Sequence, residues 1–129
     1  MSGMFVMMNE ARQLVGQQGF CLATTSYLSA LNYARKRIQG ANVKAPEAAG
    51  VPISQHPDVR RQLLTIKAYI EGMRSLIYYS GSCFDTVATS NDEEEKQLTT
   101  KIIEILTPII KGYITDKAWE VCSHSVQVY

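Results

Sequence analysis

The 129-residue sequence lacks an excess of charge of either sign, because its 13 Lys and Arg residues nearly balance 12 Asp and Glu residues. A general nucleic-acid-binding protein depends on many contacts between basic side chains and phosphates. The composition therefore argues against nucleic acid as a partner, although a local basic patch stays possible. The length suits one domain with a real core.

Long hydrophobic runs are also lacking, since no segment reaches the roughly 18 uninterrupted apolar residues that a membrane span needs. The first ten residues, MSGMFVMMNE, have no basic region before an apolar run and no small-residue cleavage site. A secretory signal would have both that basic region and that cleavage site. We therefore expect a soluble, cytoplasmic protein without a membrane contact.

Metal-ligating residues are sparse. The three cysteines, Cys21, Cys83 and Cys122, are odd in number and form no C-x-x-C pair, so neither a disulfide framework nor a zinc site is predicted. His56 and His124 belong to no H-x-x-x-H or E-x-x-H pair that would bring metal ligands onto one helix face. We expect reduced thiols, no metal site, and structural or solvent-exposed histidines.

What the sequence does contain is helical periodicity, with apolar residues recurring at spacings of three and four. This pattern predicts helices over residues 4–38, 58–86, 91–106 and 108–128, with a loop rich in proline and glycine at 40–57. No strand pattern is evident. The predicted fold class is all-α, an antiparallel up-down four-helix bundle.

The buried faces of the first two helices can be predicted from the same spacing. The stripe expected in the first helix consists of Phe5, Met8, Val15, Leu22, Tyr27, Ala30, Leu31 and Ala34. The seam expected in the second helix consists of Val59, Leu63, Ile66, Ile70, Met73, Ile77, Ser80 and Phe84. Gly16 and Gly19 each cost the first helix about 1 kcal/mol relative to alanine, which is usually accepted where another backbone comes close.

The boundaries of the last two helices depend on local capping and on one proline. Ser90 or Asn91 is a suitable cap for the third helix, whose first turn is acidic. Thr107 precedes Pro108 and is therefore disfavoured in a helix, which predicts a kink or a new helix at that point. The last helix has no stop signal before Tyr129, so we expect residues 1–129 to be one helical domain cut from a larger protein.

Basic residues form one candidate ligand site. Antiparallel packing would bring Arg35 and Arg37, near the end of the first helix, to the same end of the bundle as Arg60 and Arg61. The start of the second helix adds free N–H groups and a positive dipole end, which suit a phosphate-bearing ligand. A solvated basic surface explains the same residues equally well.

Three stretches resemble the C-terminal helical domain of FAD-dependent acyl-CoA dehydrogenases. They are LNYARKRIQG at 31–40, ISQHPDVRRQLLTIKAYIEGMRSLIYY at 53–79 and LTPIIKGYITDKAWEVCSHSVQVY at 106–129. The order and spacing particularly resemble the longer bacterial branch that acts on methylthiopropanoyl-CoA and related thioesters. The resemblance implies FAD, oxidation of an acyl-CoA to the 2-enoyl-CoA, a homodimer or dimer of dimers, and an electron-transfer flavoprotein as electron acceptor.

The resemblance also implies four contact residues. Arg37 follows a YA-x-x pattern whose arginine meets the FAD pyrophosphate of the neighbouring subunit, and Gln127 is the glutamine of V-Q-x-[FY], close to the adenosine half of FAD. Asn9 and Arg12 match a D-x-x-R pattern that holds the CoA chain, with asparagine in place of aspartate. Asn9 can still hydrogen-bond but lacks the charge.

No catalytic base is predicted within the chain. The family places it after G-G-x-G-[FY], which would follow Tyr129, or in a minority of members at the position of Ala11. Glu10 is adjacent to that position but projects about 100° away on a helix. We therefore expect an inactive fragment of an active enzyme. The alternative is a free-standing helical oligomerisation or scaffold module, which a natural stop codon after Tyr129 would favour.

Overall fold

The computed structural model describes residues 2–41, 46–47 and 49–129, with the backbone alone at residues 2, 3, 5 and 6. Most of these residues belong to α1 (Ser2–Lys36), α2 (Pro57–Thr89) and α3 (Glu93–Gln127), and a short 3-10 turn covers Ile53–Gln55. The described residues contain no strand beyond one isolated bridge. The predicted all-α class is confirmed.

The three helices run up, down and up, so that α1 and α3 are parallel and α2 is antiparallel to both. Towards the first half of α1, Gln13 Nε2 donates a hydrogen bond to Thr107 Oγ1 of α3 at 3.2 Å. At the far end, the ring of Tyr33 stacks on that of Tyr129, with centroids 4.4 Å apart. The parallel pair therefore stays in contact along most of its length.

The structure has three long helices where four were predicted, because α3 continues through Pro108. The prediction of separate helices over 91–106 and 108–128 is therefore wrong. Proline leaves the carbonyl of residue 104 without its helical donor, but Glu104 is exposed, so water can take the donor's place. Thr107 stays helical, and its Oγ1 donates to the Ile103 carbonyl at 2.8 Å.

The cap of α3 is Asp92 instead of Ser90 or Asn91. Its carboxylate accepts hydrogen bonds from the backbone N–H groups of Glu94 at 2.9 Å and Glu95 at 3.4 Å. Ser90 instead ends α2, where its backbone N–H donates to the Thr86 carbonyl at 2.9 Å. A carboxylate at this position satisfies two helix N–H groups and also complements the helix dipole.

Small residues form the buried face of α1, and the predicted stripe is wrong at its start. Met8, Val15 and Leu22 are exposed. The buried positions are Gly16, Gly19, Ala23, Ala30 and Ala34. A Cβ added at Gly16 would lie 2.8 Å from Ile110 Cγ2 of α3, and one at Gly19 would lie 3.5 Å from Ala118 Cβ. Gly16 therefore allows the two helices to approach closely, whereas Gly19 lies at an ordinary packing distance from α3.

The buried face of α2 follows the predicted seam over most of its length. Leu63, Ile66, Ile70, Met73 and Ser80 are buried. Phe84 is an exception, being 46% exposed, and the neighbouring Cys83 is buried instead. The central cluster combines Ile66, Ile70 and Met73 of α2 with residues of α3, chiefly Ile110, Ile114 and Val121. Burial of each large aliphatic side chain contributes roughly 1.5–3 kcal/mol.

Candidate functional site

Arg37 directly follows α1, and its backbone is held on both sides. Its N–H donates to the Tyr33 carbonyl at 2.8 Å, and its own carbonyl accepts from the N–H of Ile53, also at 2.8 Å. The Arg37 side chain is exposed and has no ion-pair partner among the described residues. The structure thus presents a positioned backbone with a guanidinium group available to an anionic ligand.

A short antiparallel contact extends from Arg37 into the predicted loop 40–57, of which residues 42–45 and 48 lie outside the described residues. Ile38 and Pro52 form a bridge, and Gln39 N–H donates to the Val51 carbonyl at 3.0 Å. His56 Nε2 lies 2.7 Å from the Gln39 carbonyl. Since a carbonyl only accepts, Nε2 must carry the proton. His56 thus has the structural role expected for it.

The predicted basic cluster is only partly assembled. The end of α1 does meet the segment that leads into α2, and Arg60 and Arg61 line an open depression of about 500 Å³ there. Arg37 is not among the residues that line it. Arg61 is engaged with Asp58 at 2.7 Å, and this hydrogen bond, with a second from Gln62, lowers the pKa of the Asp58 carboxyl. Part of the positive charge is therefore already neutralised.

Gln127 lies at the same end of the molecule as Arg37. Its exposed side chain borders a shallow groove of about 260 Å³ on α3, together with Trp119, Cys122, Ser123 and Val126. Two residues further on, Tyr129 stacks on Tyr33, which precedes Arg37 by one helical turn. The structure therefore brings the ends that carry Arg37 and Gln127 together, although the two residues are 90 positions apart in the sequence.

Asn9 and Arg12 form a second, separate location. Arg12 Nη1 donates to Asn9 Oδ1 at 2.9 Å across one helical turn, and both side chains are half-buried. Asparagine therefore preserves the hydrogen bond that aspartate would make, without the negative charge. Along α1, Arg12 and Arg37 are separated by roughly 38 Å at 1.5 Å per residue. The structure does not bring the four predicted contact residues into one site.

Beside Asn9, the three helices enclose an open cleft of about 610 Å³. Its walls include Glu10 and Gln13 of α1, Ile77 and Phe84 of α2, and Ile103 and Glu104 of α3. Ser80 also lines it, and the buried Oγ of Ser80 has no hydrogen-bond partner among the described residues. The sequence did not predict this cleft, because its residues come from three distant segments. The cleft can hold an apolar group within a polar rim.

A charged contact joins α2 and α3 near their middle. Lys117 Nζ lies 2.6 Å from Glu120 Oε2, and Tyr69 of α2 donates to Glu120 Oε1 at 3.1 Å. The hydrogen bond between the charged pair lowers the pKa of Glu120 and raises the pKa of Lys117. Both groups therefore stay charged near neutral pH, which suits a structural contact better than proton transfer.

The described residues offer neither a metal site nor a membrane-spanning helix. No group of three His, Cys, Asp or Glu side chains there lies close enough to hold a metal ion. Cys21, Cys83 and Cys122 are all free thiols, and Cys83 is buried. Within the same residues, none of the helices combines the length and the apolar character required to cross a bilayer.

Comparison with known proteins decides the family. The family model described as acyl-CoA dehydrogenase, C-terminal domain, matches residues 4–129. The chain belongs to this family. The prediction of family membership is thereby confirmed, and the match covers all three helices, including the segments that carry Asn9, Arg12, Arg37 and Gln127.

Several curated proteins are similar to this acyl-CoA dehydrogenase domain. It is 44% identical over 126 residues to 3-methylmercaptopropionyl-CoA dehydrogenase of Ruegeria pomeroyi, a match that covers 98% of the chain. It is 37% identical over 128 residues, or 96% of the chain, to the broad-specificity linear acyl-CoA dehydrogenase FadE5 of Mycobacterium tuberculosis. A butyryl-CoA dehydrogenase of Syntrophomonas wolfei is 35% identical over all 129 residues. The chain spans 21% of the length of each relative.

Proposed function

We propose that the chain is the C-terminal helical domain of an FAD-dependent enzyme that oxidises an acyl-CoA to the 2-enoyl-CoA. The observation that carries this proposal is the family match over residues 4–129, supported by relatives that are all named acyl-CoA dehydrogenases. Because the chain spans 21% of their length, we propose that residues 1–129 form one bundle domain of a larger enzyme. By itself this domain does not turn over substrate.

Arg37 and Gln127 are the proposed FAD contacts. FAD, when bound, would supply the acceptor for the hydride that leaves the β-carbon of the acyl group. The exposed Arg37 guanidinium suits a pyrophosphate, because arginine forms strong, charge-assisted hydrogen bonds with phosphate oxygens. The exposed amide of Gln127 can donate and accept hydrogen bonds, as the adenosine half requires. Their location at one end of the bundle supports a shared ligand.

Asn9 and Arg12 are the proposed contacts to the CoA chain. Arg12 is already oriented by its hydrogen bond to Asn9, which holds the guanidinium while leaving further N–H donors available for a ligand. Without the charge of an aspartate, Asn9 contributes less to this positioning. The roughly 38 Å between Arg12 and Arg37 along α1 supports separate positions for substrate and dinucleotide.

The proposed partners follow from the same assignment. They are an acyl-CoA substrate, further copies of the enzyme in a homodimer or dimer of dimers, and an electron-transfer flavoprotein for the complete enzyme. The proposed compartment is the cytoplasm. A preference for methylthiopropanoyl-CoA-like thioesters is supported by the 44% identity to the Ruegeria enzyme.

Titration of FAD, CoA and ATP into the chain tests the cofactor assignment. We expect Arg37→Ala to weaken FAD binding about tenfold or more, because the charged hydrogen bond to the pyrophosphate is lost. Flavin fluorescence and calorimetry measure the binding. Arg35→Ala is the matched control, since it removes the same charge two residues away from an exposed position.

Two results would contradict this assignment. One is equal weakening by Arg35→Ala and Arg37→Ala, which would indicate a general charge effect. The other is ATP binding as tight as FAD binding in the wild-type chain, with both lost in Arg37→Ala. That outcome would make the basic end a nucleotide site without preference for a flavin.

A further inference from the structure

His56 joins the start of α2 to the segment that carries Arg37. Its backbone carbonyl accepts a hydrogen bond from the N–H of Arg60 at 3.0 Å, so the backbone of His56 caps α2. Its side chain reaches in the other direction, and Nε2 donates to the Gln39 carbonyl at 2.7 Å. Gln39 lies two residues after Arg37, the proposed contact to the FAD pyrophosphate. One side chain therefore ties the end of α1 to the start of α2.

The residues around His56 preset the position of its ring. Pro57 follows His56, and the residue before a proline is restricted to extended backbone, which agrees with the φ of −70° and ψ of 135° at His56. On the other side of the ring, Gly40 has a φ of 69°, a conformation that favours glycine. A Cβ added at Gly40 would lie 3.4 Å from Cε1 and 3.5 Å from Nε2 of His56. Glycine therefore leaves room for the imidazole against the turn.

The segment that carries Arg37 is held to residues 51–53 by a short backbone contact. Its hydrogen bonds run from the Ile53 N–H to the Arg37 carbonyl at 2.8 Å, from the Gln39 N–H to the Val51 carbonyl at 3.0 Å, and from the Val51 N–H to the Gly40 carbonyl at 3.1 Å. Ile53 is buried, whereas Ile38, on the side of Arg37, is 62% exposed. A pair of extended segments without a packed face is marginally stable in water. The hydrogen bond from His56 therefore supports the side that has less apolar packing.

We propose that His56 is a positioning residue for Arg37. By holding the Gln39 carbonyl, the imidazole limits the orientations of the backbone that carries Arg37, so that more of the molecules present the guanidinium group where the pyrophosphate binds. The apparent affinity for a ligand falls in proportion to the fraction of molecules that are competent to bind it. The inference rests on the proposed cofactor contact of Arg37 and names the side chain that supports this contact.

Two substitutions separate the hydrogen bond of His56 from its packing. Nε2 carries a proton in the neutral form present here and also in the imidazolium cation, so the ring donates to Gln39 in either charge state. The side-chain amide of glutamine can donate to the same carbonyl, whereas leucine has no donor. His56→Gln therefore keeps the hydrogen bond, and His56→Leu removes it while leaving an apolar side chain in place of the ring.

Amide hydrogen exchange of the 129-residue chain, followed by NMR, tests this contact without any ligand. We expect His56→Leu to speed exchange of the Gln39, Val51 and Ile53 N–H groups about fivefold or more, because loss of the hydrogen bond favours local opening. His56→Gln should keep the wild-type rates. Gln55→Leu is the matched control, since it places the same side chain at the exposed neighbouring position. Exchange in the middle of α2 should be unchanged in all three variants.

FAD titration tests whether His56 acts through Arg37. We expect His56→Leu to weaken FAD binding about three- to tenfold, and His56→Gln to restore most of the wild-type affinity. In an Arg37→Ala background, His56→Leu should have no further effect on FAD binding, because the group that His56 positions is absent. Flavin fluorescence measures the binding, and circular dichroism checks that each variant is folded.

Three outcomes would overturn the proposal. The first is exchange in His56→Leu that stays at the wild-type rate or rises equally throughout α2, which would indicate no local role. The second is His56→Gln that binds FAD as weakly as His56→Leu, so that the donor is not what matters. The third is losses of affinity in His56→Leu and Arg37→Ala that multiply in the double variant. A wild-type chain that binds no FAD would instead contradict the cofactor assignment, whereas the exchange rates would still decide whether His56 holds the segment of Arg37.

Discussion

At the scale of single residues, the contact of Glu120 with Lys117 and Tyr69 links ionisation to folding. The pKa of Glu120 lies below its ordinary value of 4.5, chiefly because Lys117 donates to the carboxylate. The unfolded chain therefore binds this proton more strongly than the folded chain does. The contact stabilises the fold above the ordinary pKa, and the stabilisation is lost as pH falls through the native pKa.

Replacement of Glu120 by glutamine should expose this pH dependence. We expect Glu120→Gln to lower the free energy of unfolding near neutral pH. The difference from wild type should shrink as pH falls below 4.5 and through the lower pKa of the native carboxyl, where that group becomes protonated. Urea denaturation at several pH values measures the free energy of unfolding of the variant and of the wild type. Tyr69→Phe, which removes only one donor, should show a smaller change of the same sign. A difference that is constant with pH would contradict the linkage.

At the scale of elements, the periodic spacing predicted most of the helical content, but not the continuity of α3. Pro108 suits the first turn of a helix, and the sequence alone favoured a new helix there. In the structure, Thr107 and Ile110 are both buried against the neighbouring helices, and this packing holds the backbone helical through the proline. Packing of residues on both sides of Pro108 thus decides the continuity of α3, which the preference of proline for a first helical turn predicted wrongly.

Replacement of Pro108 distinguishes one continuous helix from two helices that meet at residue 108. Because Pro108 is exposed inside a continuous helix, we expect Pro108→Ala to raise the free energy of unfolding by up to about 3 kcal/mol. Pro57→Ala is the control, since Pro57 is at the first position of α2, where proline costs nothing. Urea denaturation measures both variants. Equal, small effects would indicate that a helix begins at residue 108.

At the scale of the whole molecule, a second cluster ties the helix ends together. It contains Ala30 and Ala34 of α1, Ile53, Leu63 of α2, and Val128 after α3. This cluster lies beneath the end of the bundle that carries Arg37 and Gln127. The geometry of the proposed cofactor contacts therefore depends on packing between segments that are far apart in the sequence.

Adjacent leucines of α2 allow a matched test of this cluster. Leu63 is 7% exposed and Leu64 is 64% exposed. We expect Leu63→Ala to cost about 2–5 kcal/mol because it leaves a cavity between three segments, whereas Leu64→Ala should stay within about 0.5 kcal/mol of wild type. Thermal and urea unfolding measure the change. Similar losses for both variants would contradict the burial pattern.

The sequence by itself determined the all-helical class, most helix boundaries and the family, because periodicity, capping residues and motif spacing are local properties of the chain. Only the tertiary structure decided that Gly16, Gly19 and Ala23 lie on the buried face of α1 while Met8, Val15 and Leu22 do not. It also decided the course of α3 through Pro108 and the meeting of the helix ends that carry Arg37 and Gln127. These features depend on the surface that packs opposite each helix, and local spacing carries no information about that surface.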